Sequence, residues 1–137
     1  MRVMVLGSGA REHALAWRLH RDPDVDEVLC APGNGGTGAF SRSVVVAPTD
    51  PEAVLEAARR ERVGLVVVGP EAPLVAGVAD RLIADGIPVF GPNAAAARLE
   101  GSKAFAKELM AKQGVPTADF RTFDDAAEAE AYCRDAN

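Results

Sequence analysis

Three turns combine glycine with side chains suited to holding a small anionic ligand. They are Gly7-Ser8-Gly9-Ala10-Arg11-Glu12-His13, Pro32-Gly33-Asn34-Gly35-Gly36, and Gly69-Pro70-Glu71-Ala72-Pro73-Leu74. Glycine lets backbone approach a ligand closely, and a helix N-terminus behind such a turn favours anions. In the second turn the run from Gly33 to Gly38 can form a nest of amides for an anion, and Asn34 can read a hydroxyl; the alternative is a flexible surface loop. Arg11 sits in the first turn of a helix, where a cation opposes the macrodipole. A bound anion or a neighbouring carboxylate would remove that conflict, and extension into solvent is the other reading. For His13 a helix-packing role is preferred over a ligand contact. Glu71 is either a helix cap or an acid aimed at ribose hydroxyls or an amine; the flanking Pro70 and Pro73, which stiffen the turn, favour the second. The chemistry implied is recognition of a small, phosphorylated, sugar-like molecule.

A dinucleotide would be the other obvious ligand of Gly7-x-Gly9 behind a strand. The fingerprint then calls for glycine or alanine at position 12, where this chain has Glu12. It also calls for an acid ending the second strand, and Cys30-Ala31-Pro32-Gly33-Asn34 supplies none. A nicotinamide cofactor is therefore disfavoured.

Composition narrows the field. The chain has 137 residues, room for one domain and the start of a second. Aromatics make up only 5%, which argues against base stacking, and 20 acids outnumber 15 basic residues with no basic block, which argues against nucleic acid. Apolar runs are too short for a membrane span or a signal-peptide core. Cys30 and Cys133 form no paired motif and read as two reduced thiols of a cytoplasmic protein.

The elements that position the turns alternate strand and helix. Strands are predicted over 1–6, 25–31, 43–47, 65–68 and 87–90, and helices over 10–20 and 51–62. Asp50-Pro51 marks the second helix as N-cap and first helical residue. Leu74, Val75, Val78, Ala79, Leu82 and Ile83 form one helical stripe that Gly86 closes. The fold expected is α/β, an open parallel sheet with helices on both faces. After Gly91-Pro92, Asn93 caps a short alanine-rich turn over 94–99, Ser102 caps a helix from Lys103 to Gln113, and Gly114 ends it. An extended stretch over 117–123 and an acidic helix from Asp124 to the chain end follow. These last pieces have no sheet to join, so the chain reads as cut short part-way into a second domain, with 1–101 as the first domain and 102–137 as linker helix and beginning of the next.

The turns and their surroundings resemble the glycinamide ribonucleotide synthetase family, the phosphoribosylamine–glycine ligases. The matching stretches are Gly7-Ser8-Gly9-Ala10-Arg11-Glu12-His13-Ala14-Leu15, Ala31-Pro32-Gly33-Asn34 and the run from Val68 through Gly69-Pro70-Glu71 to Gly77. Phe90-Gly91-Pro92, the run from Leu99 to Lys107 and Pro116-Thr117-Ala118 continue the likeness, which covers essentially the whole chain. Ala10 stands where many members carry a further glycine. The resemblance implies a Rossmann-like domain preceding an ATP-grasp domain, in an ATP-dependent ligase of purine biosynthesis that uses ATP, glycine, phosphoribosylamine and Mg2+ (or Mn2+). It implies that Gly7, Ser8, Gly9, Arg11, Gly33, Asn34, Gly69, Pro70 and Glu71 face the ribosylamine, and that Lys103 lies near the ATP phosphates. A solvated helix-start lysine is the alternative for Lys103, although such a charge opposes the dipole. No catalytic residue and no complete metal site are expected in these 137 residues, whose partner would be the remainder of the same chain; alone, they are expected to be inactive. Two competitors remain. One is another ATP-grasp ligase, such as a biotin-carboxylase-like enzyme; the other is a self-contained sugar-phosphate or nucleotide-binding module.

Overall fold

The computed structural model describes residues 1–135 and divides into two compact units, Met1–Gly101 and Ser102–Asn137. The first unit is built on five parallel strands: β1 (Arg2–Gly7), β2 (Glu27–Pro32), β3 (Arg42–Ser43), β4 (Leu65–Val68) and β5 (Val89–Phe90). Their spatial order is β3-β2-β1-β4-β5. Residues Leu6, Ala31 and Val68 share one level of the sheet, so the turns after β1, β2 and β4 emerge side by side.

The central strands are buried on both faces, which is why they read as unbroken apolar runs rather than alternating ones. Met4, Leu6, Leu29, Ala31, Val66 and Val68 point to one face and pack with Val54, Leu55, Leu74, Val78 and Leu82. Those side chains come from α2 (Pro51–Arg60), α3 (Glu71–Val75) and α4 (Val78–Ala84), and Ala97 of α5 (Ala94–Gly101) joins them. Val3, Val5, Val28, Cys30 and Val67 point to the other face, against Leu15, Ala16 and Leu19 of α1 (Ala10–His20) and against Phe40. Each fully buried Val or Leu is worth about 1.5–3 kcal/mol. That anchoring gives the strand ends fixed positions.

Local signals explain the helix ends. Asp50 Oδ1 accepts the amides of Glu52 and Ala53, both at 3.1 Å. Asn93 Oδ1 accepts Ala96 N at 2.9 Å. The predicted single helix across residues 74–83 is instead two, α3 and α4, because Gly77 takes a left-handed φ of 88° between them. The predicted hydrophobic stripe survives in part: Leu74, Val78, Ala79 and Leu82 are buried, whereas Val75 and Ile83 are 43% and 55% exposed. β3 is shorter than predicted. Val44 is buried, but Val45 is 93% exposed, so the branched run leaves the sheet edge rather than extending the strand.

In the second unit, α6 (Lys103–Gln113) begins at Ser102, whose Oγ accepts Phe105 N at 3.3 Å, and ends at Gly114 with φ 68°. The stretch expected to be extended joins no strand among the described residues; Lys107 Nζ donates to Thr117 Oγ1 and to the Ala118 carbonyl. α7 (Ala126–Asp135) follows, and the predicted continuation of that helix to the chain end lies outside the described residues.

Candidate functional site

Strand order reverses at β1. The chain runs out through β2 and β3 on one side, then crosses by α2 to β4 on the other. The crevice at the carboxyl ends of β1 and β4 is thus the topological switch point, where open α/β sheets bind ligands. The first turn (7–9) and the third (69–71) flank it, and the second (33–38) adjoins the first.

Hydrogen bonds fasten the first turn to the second. Gly33 N donates to the Gly7 carbonyl at 3.1 Å, and Asn34 Nδ2 donates to the Ser8 carbonyl at 3.0 Å. Asn34 Oδ1 accepts the amides of Gly36 at 2.9 Å and Thr37 at 3.1 Å. Buried Thr37 completes the knot, its Oγ1 accepting Asn34 N and donating to the Asn34 carbonyl. Asn34 therefore spends its side chain on shaping the turn, with one amide proton left over. Gly33 has φ 78°, and the Ala31–Pro32 peptide before it is cis. His13 packs edge-on to Phe40, ring centroids 5.4 Å apart, and its Nδ1 lies 3.4 Å from Asn34 Oδ1.

Glu12 joins the first turn to the third. Its side chain is only 7% exposed. Oε2 accepts Gly9 N at 2.7 Å, the reach of an N3 glutamate back to its N-cap amide, and Oε1 accepts Arg11 Nε at 3.1 Å. A buried carboxylate costs free energy unless paired, and here two donors and the positive end of α1 compensate it. The surrounding glycines make the room. A Cβ on Gly7 would stand 2.7 Å from Glu12 Cγ, and one on Gly9 2.8 Å from Glu12 Oε2. One on Gly69 would overlap Glu12 Oε1 outright. Sequence reading took Glu12 only as a departure from the dinucleotide fingerprint and missed this role; an acid three residues after Gly9 was the available signal. Arg11, by contrast, meets the neighbouring carboxylate that its position called for, while remaining 57% exposed.

The second acid behaves oppositely. Glu71 is half-buried at the first position of α3, behind Pro70 in extended conformation, and its carboxylate has no hydrogen bond or ion pair among the described residues. Gly7, Ser8, Gly9, Arg11, Gly33, Asn34, Gly69, Pro70 and Glu71 thus come together at the carboxyl end of the sheet. Lys103 belongs to the second unit, exposed at the first position of α6. Among the described residues no three His, Cys, Asp or Glu side chains converge as a metal site would require. Among the described residues, no helix is long and apolar enough to cross a membrane.

The family described as phosphoribosylglycinamide synthetase, N domain, matches residues 1–100. The chain belongs to this family. A phosphoribosylamine–glycine ligase of Ralstonia nicotianae is 57% identical over 132 residues, which are 96% of this chain and 31% of that protein. The crystal structure of the phosphoribosylamine–glycine ligase of Thermotoga maritima is 29% identical and superposes with a TM-score of 0.68, over 98% of this chain and 30% of that one. A biotin carboxylase domain of Hydrogenobacter thermophilus 2-oxoglutarate carboxylase, solved with MgADP, ADP and bicarbonate, shares the fold at 20% identity. Its TM-score is 0.70, over 99% of this chain and 33% of that one. The chain spans about a third of the length of the curated relatives it matches.

Proposed function

We propose that this chain forms the substrate side of a phosphoribosylamine–glycine ligase, its three turns facing the ribosylamine. The observation that carries the reading is Glu71: an unpaired carboxylate at the switch-point crevice, in a chain of this family. Glu71 accepts hydrogen bonds from ribose hydroxyls or the amine, Arg11 offers guanidinium donors to the phosphate, and the Gly7–Gly9 and Gly33–Asn34 backbones border the sugar.

The reaction so assigned transfers the γ-phosphoryl group of ATP to the glycine carboxylate, giving ADP and glycyl phosphate. The amine nitrogen of phosphoribosylamine then attacks the acyl carbon, the C–N bond forms, phosphate leaves with the C–O electron pair, and the nitrogen loses a proton. This chain's part is orientation, which converts an encounter between two molecules into a positioned one. Lys103 is assigned to the ATP phosphates at the start of the ATP-grasp unit, 102–137, and the setting is the cytoplasm. Magnesium belongs with ATP in such a reaction, but the described residues do not fit a metal site, so no step here is routed through it. The 137 residues alone are expected to bind sugar phosphate without turnover.

Three measurements test this. Titration with ribose 5-phosphate, followed by backbone amide resonances, should move Gly7–Gly9, Gly33–Asn34 and Gly69–Glu71, while NAD moves none. Saturable NAD binding at Gly7–Gly9, or ATP turnover with glycine and phosphoribosylamine by the chain alone, would overturn the reading. In a full-length ligase carrying this segment, Glu71→Ala should raise KM for phosphoribosylamine about tenfold, roughly the 1.4 kcal/mol of one hydrogen bond, with folding unchanged. An unchanged kinetic profile removes Glu71 from the site.

A further inference from the structure

Glu12 is a buried acid that the proposed chemistry leaves unused. Its surroundings are specific: α1 carries it, Gly9 N caps one oxygen, Arg11 Nε meets the other, and Gly7, Gly9 and Gly69 each leave out the side chain that would collide with it. We propose that Glu12 is the positioning residue of the crevice, locking the first turn to the third and thereby setting where Arg11 and Glu71 stand before any ligand arrives.

The geometry leaves little slack. Gly69 N donates to the Leu6 carbonyl at 3.1 Å, so the third turn hangs on β1 at its start, immediately above the Glu12 carboxylate. Pro70 closes on Gly7 from the same side: its Cδ would lie 2.9 Å from a Cβ there. The turn carrying Glu71 therefore rests on the Glu12 side chain, while the Arg11 guanidinium spends one of its five N–H donors on the same carboxylate. A carboxylate is required rather than an apolar filler, because both Gly9 N and Arg11 Nε are donors. Removing the acid leaves one amide uncapped, one guanidinium untethered and one turn unsupported. Preorganisation of this kind lowers the ordering cost of binding. The consequence for affinity rests on the ribosylamine reading above, whereas the coupling of the two turns does not.

The test uses the 137-residue chain and four variants: Glu12→Gln, Glu12→Ala, Gly69→Ala, and Glu12→Ala combined with Gly69→Ala. Amide resonances and hydrogen exchange report the coupling; a ribose 5-phosphate titration reports the consequence. In Glu12→Ala the Gly9 amide should exchange at least tenfold faster, the Gly69–Glu71 resonances should shift, and ribose 5-phosphate should bind at least fivefold more weakly. Glu12→Gln keeps the shape and an acceptor for Gly9, so the fold and the Gly9 protection should persist. Its loss of charge should nevertheless move the Arg11 Nε–Hε resonance and weaken ribose 5-phosphate about threefold, which a purely structural role would not do. Gly69→Ala should cost less stability on top of Glu12→Ala than alone. Unmoved Gly69–Glu71 resonances in Glu12→Ala, or full additivity with Gly69→Ala, overturn the proposal. If Glu12→Ala fails to fold, Glu12→Gln decides: an unmoved Arg11 resonance overturns the proposal and a shifted one supports it. A wild-type chain blind to ribose 5-phosphate, with the coupling shifts present, defeats the ribosylamine reading and leaves the positioning role standing.

Discussion

At Gly7, Gly9 and Gly69 the missing side chain leaves room for another residue of the same molecule, whereas at Gly35 and Gly38 it faces open space. Both regions look alike as glycine-rich turns at strand ends. The first and third turns are closed around an internal carboxylate. The second is anchored where Gly33, Asn34 and Thr37 interlock and where Gly36 packs against His13, and is open only at Gly35 and Gly38. Glycine therefore has two meanings in one crevice: close packing of the protein on itself, and absence of packing. The closed turns also separate two acids. Glu12 is consumed by the fold, and Glu71 is left for something else.

The largest expected effect falls on the closed side. Gly69→Ala places a methyl group on Glu12 Oε1, and neither neighbour has somewhere to go, because Glu12 is held by two hydrogen bonds and Gly69 by the Leu6 carbonyl. Overpacking of this kind costs about 1–3 kcal/mol and occasionally more; about 3 kcal/mol is expected here, read from the denaturation midpoint at unchanged m-value. A loss under about 0.5 kcal/mol, the range of an ordinary surface change, would show that the third turn yields easily and would break the comparison.

Much of the frame was legible because short-range signals specify it. α1, β4 and α6 have the predicted bounds: α1 stops before Asp22-Pro23, β4 is an unbroken branched run, and Ser102 and Gly114 bracket α6. Convergence of the three turns followed from strand order. What escaped notice depends on space rather than pattern. The break at Gly77 hides inside an apolar stripe of the sequence, since Leu74 of α3 and Val78, Ala79 and Leu82 of α4 are buried on both sides of the kink, while Val75 and Ile83 turn out exposed. Glu12 could be seen as an acid out of place in a dinucleotide motif. That Gly69, 57 positions later, opens to receive it is a tertiary fact no local window contains.

An intermediate effect is expected at the anchored start of the second turn. Asn34→Ala removes the acceptor for Gly36 N and Thr37 N and the donor to the Ser8 carbonyl. At about 1 kcal/mol per net hydrogen bond, with partners that solvent reaches in part, the loss should be about 1–2 kcal/mol. Asn34→Asp sharpens the point by keeping the acceptor and losing the donor. It should retain the turn's own amide protection while releasing the Ser8 link, seen as faster exchange confined to the first turn's neighbourhood. Equal losses for both variants would mean that the two turns are not held together by the Asn34 amide.

The smallest effect belongs to the open side, and it is the more exacting test. A Cβ on Gly35 meets nothing within 4 Å, and Gly35 is not among the glycines with positive φ, so alanine adopts its backbone without strain. Gly35→Ala should therefore leave the midpoint within about 0.5 kcal/mol of wild type, or raise it by about 0.4–1 kcal/mol through the reduced freedom of the unfolded chain. Ribose 5-phosphate affinity should also be unchanged, because the residues assigned to the sugar are Gly33 and Asn34 at the anchored start. A methyl group that cost affinity at constant stability would place the ligand against Gly35. Open space would then be a binding surface rather than slack, and the second turn would carry the role here divided between Arg11 and Glu71.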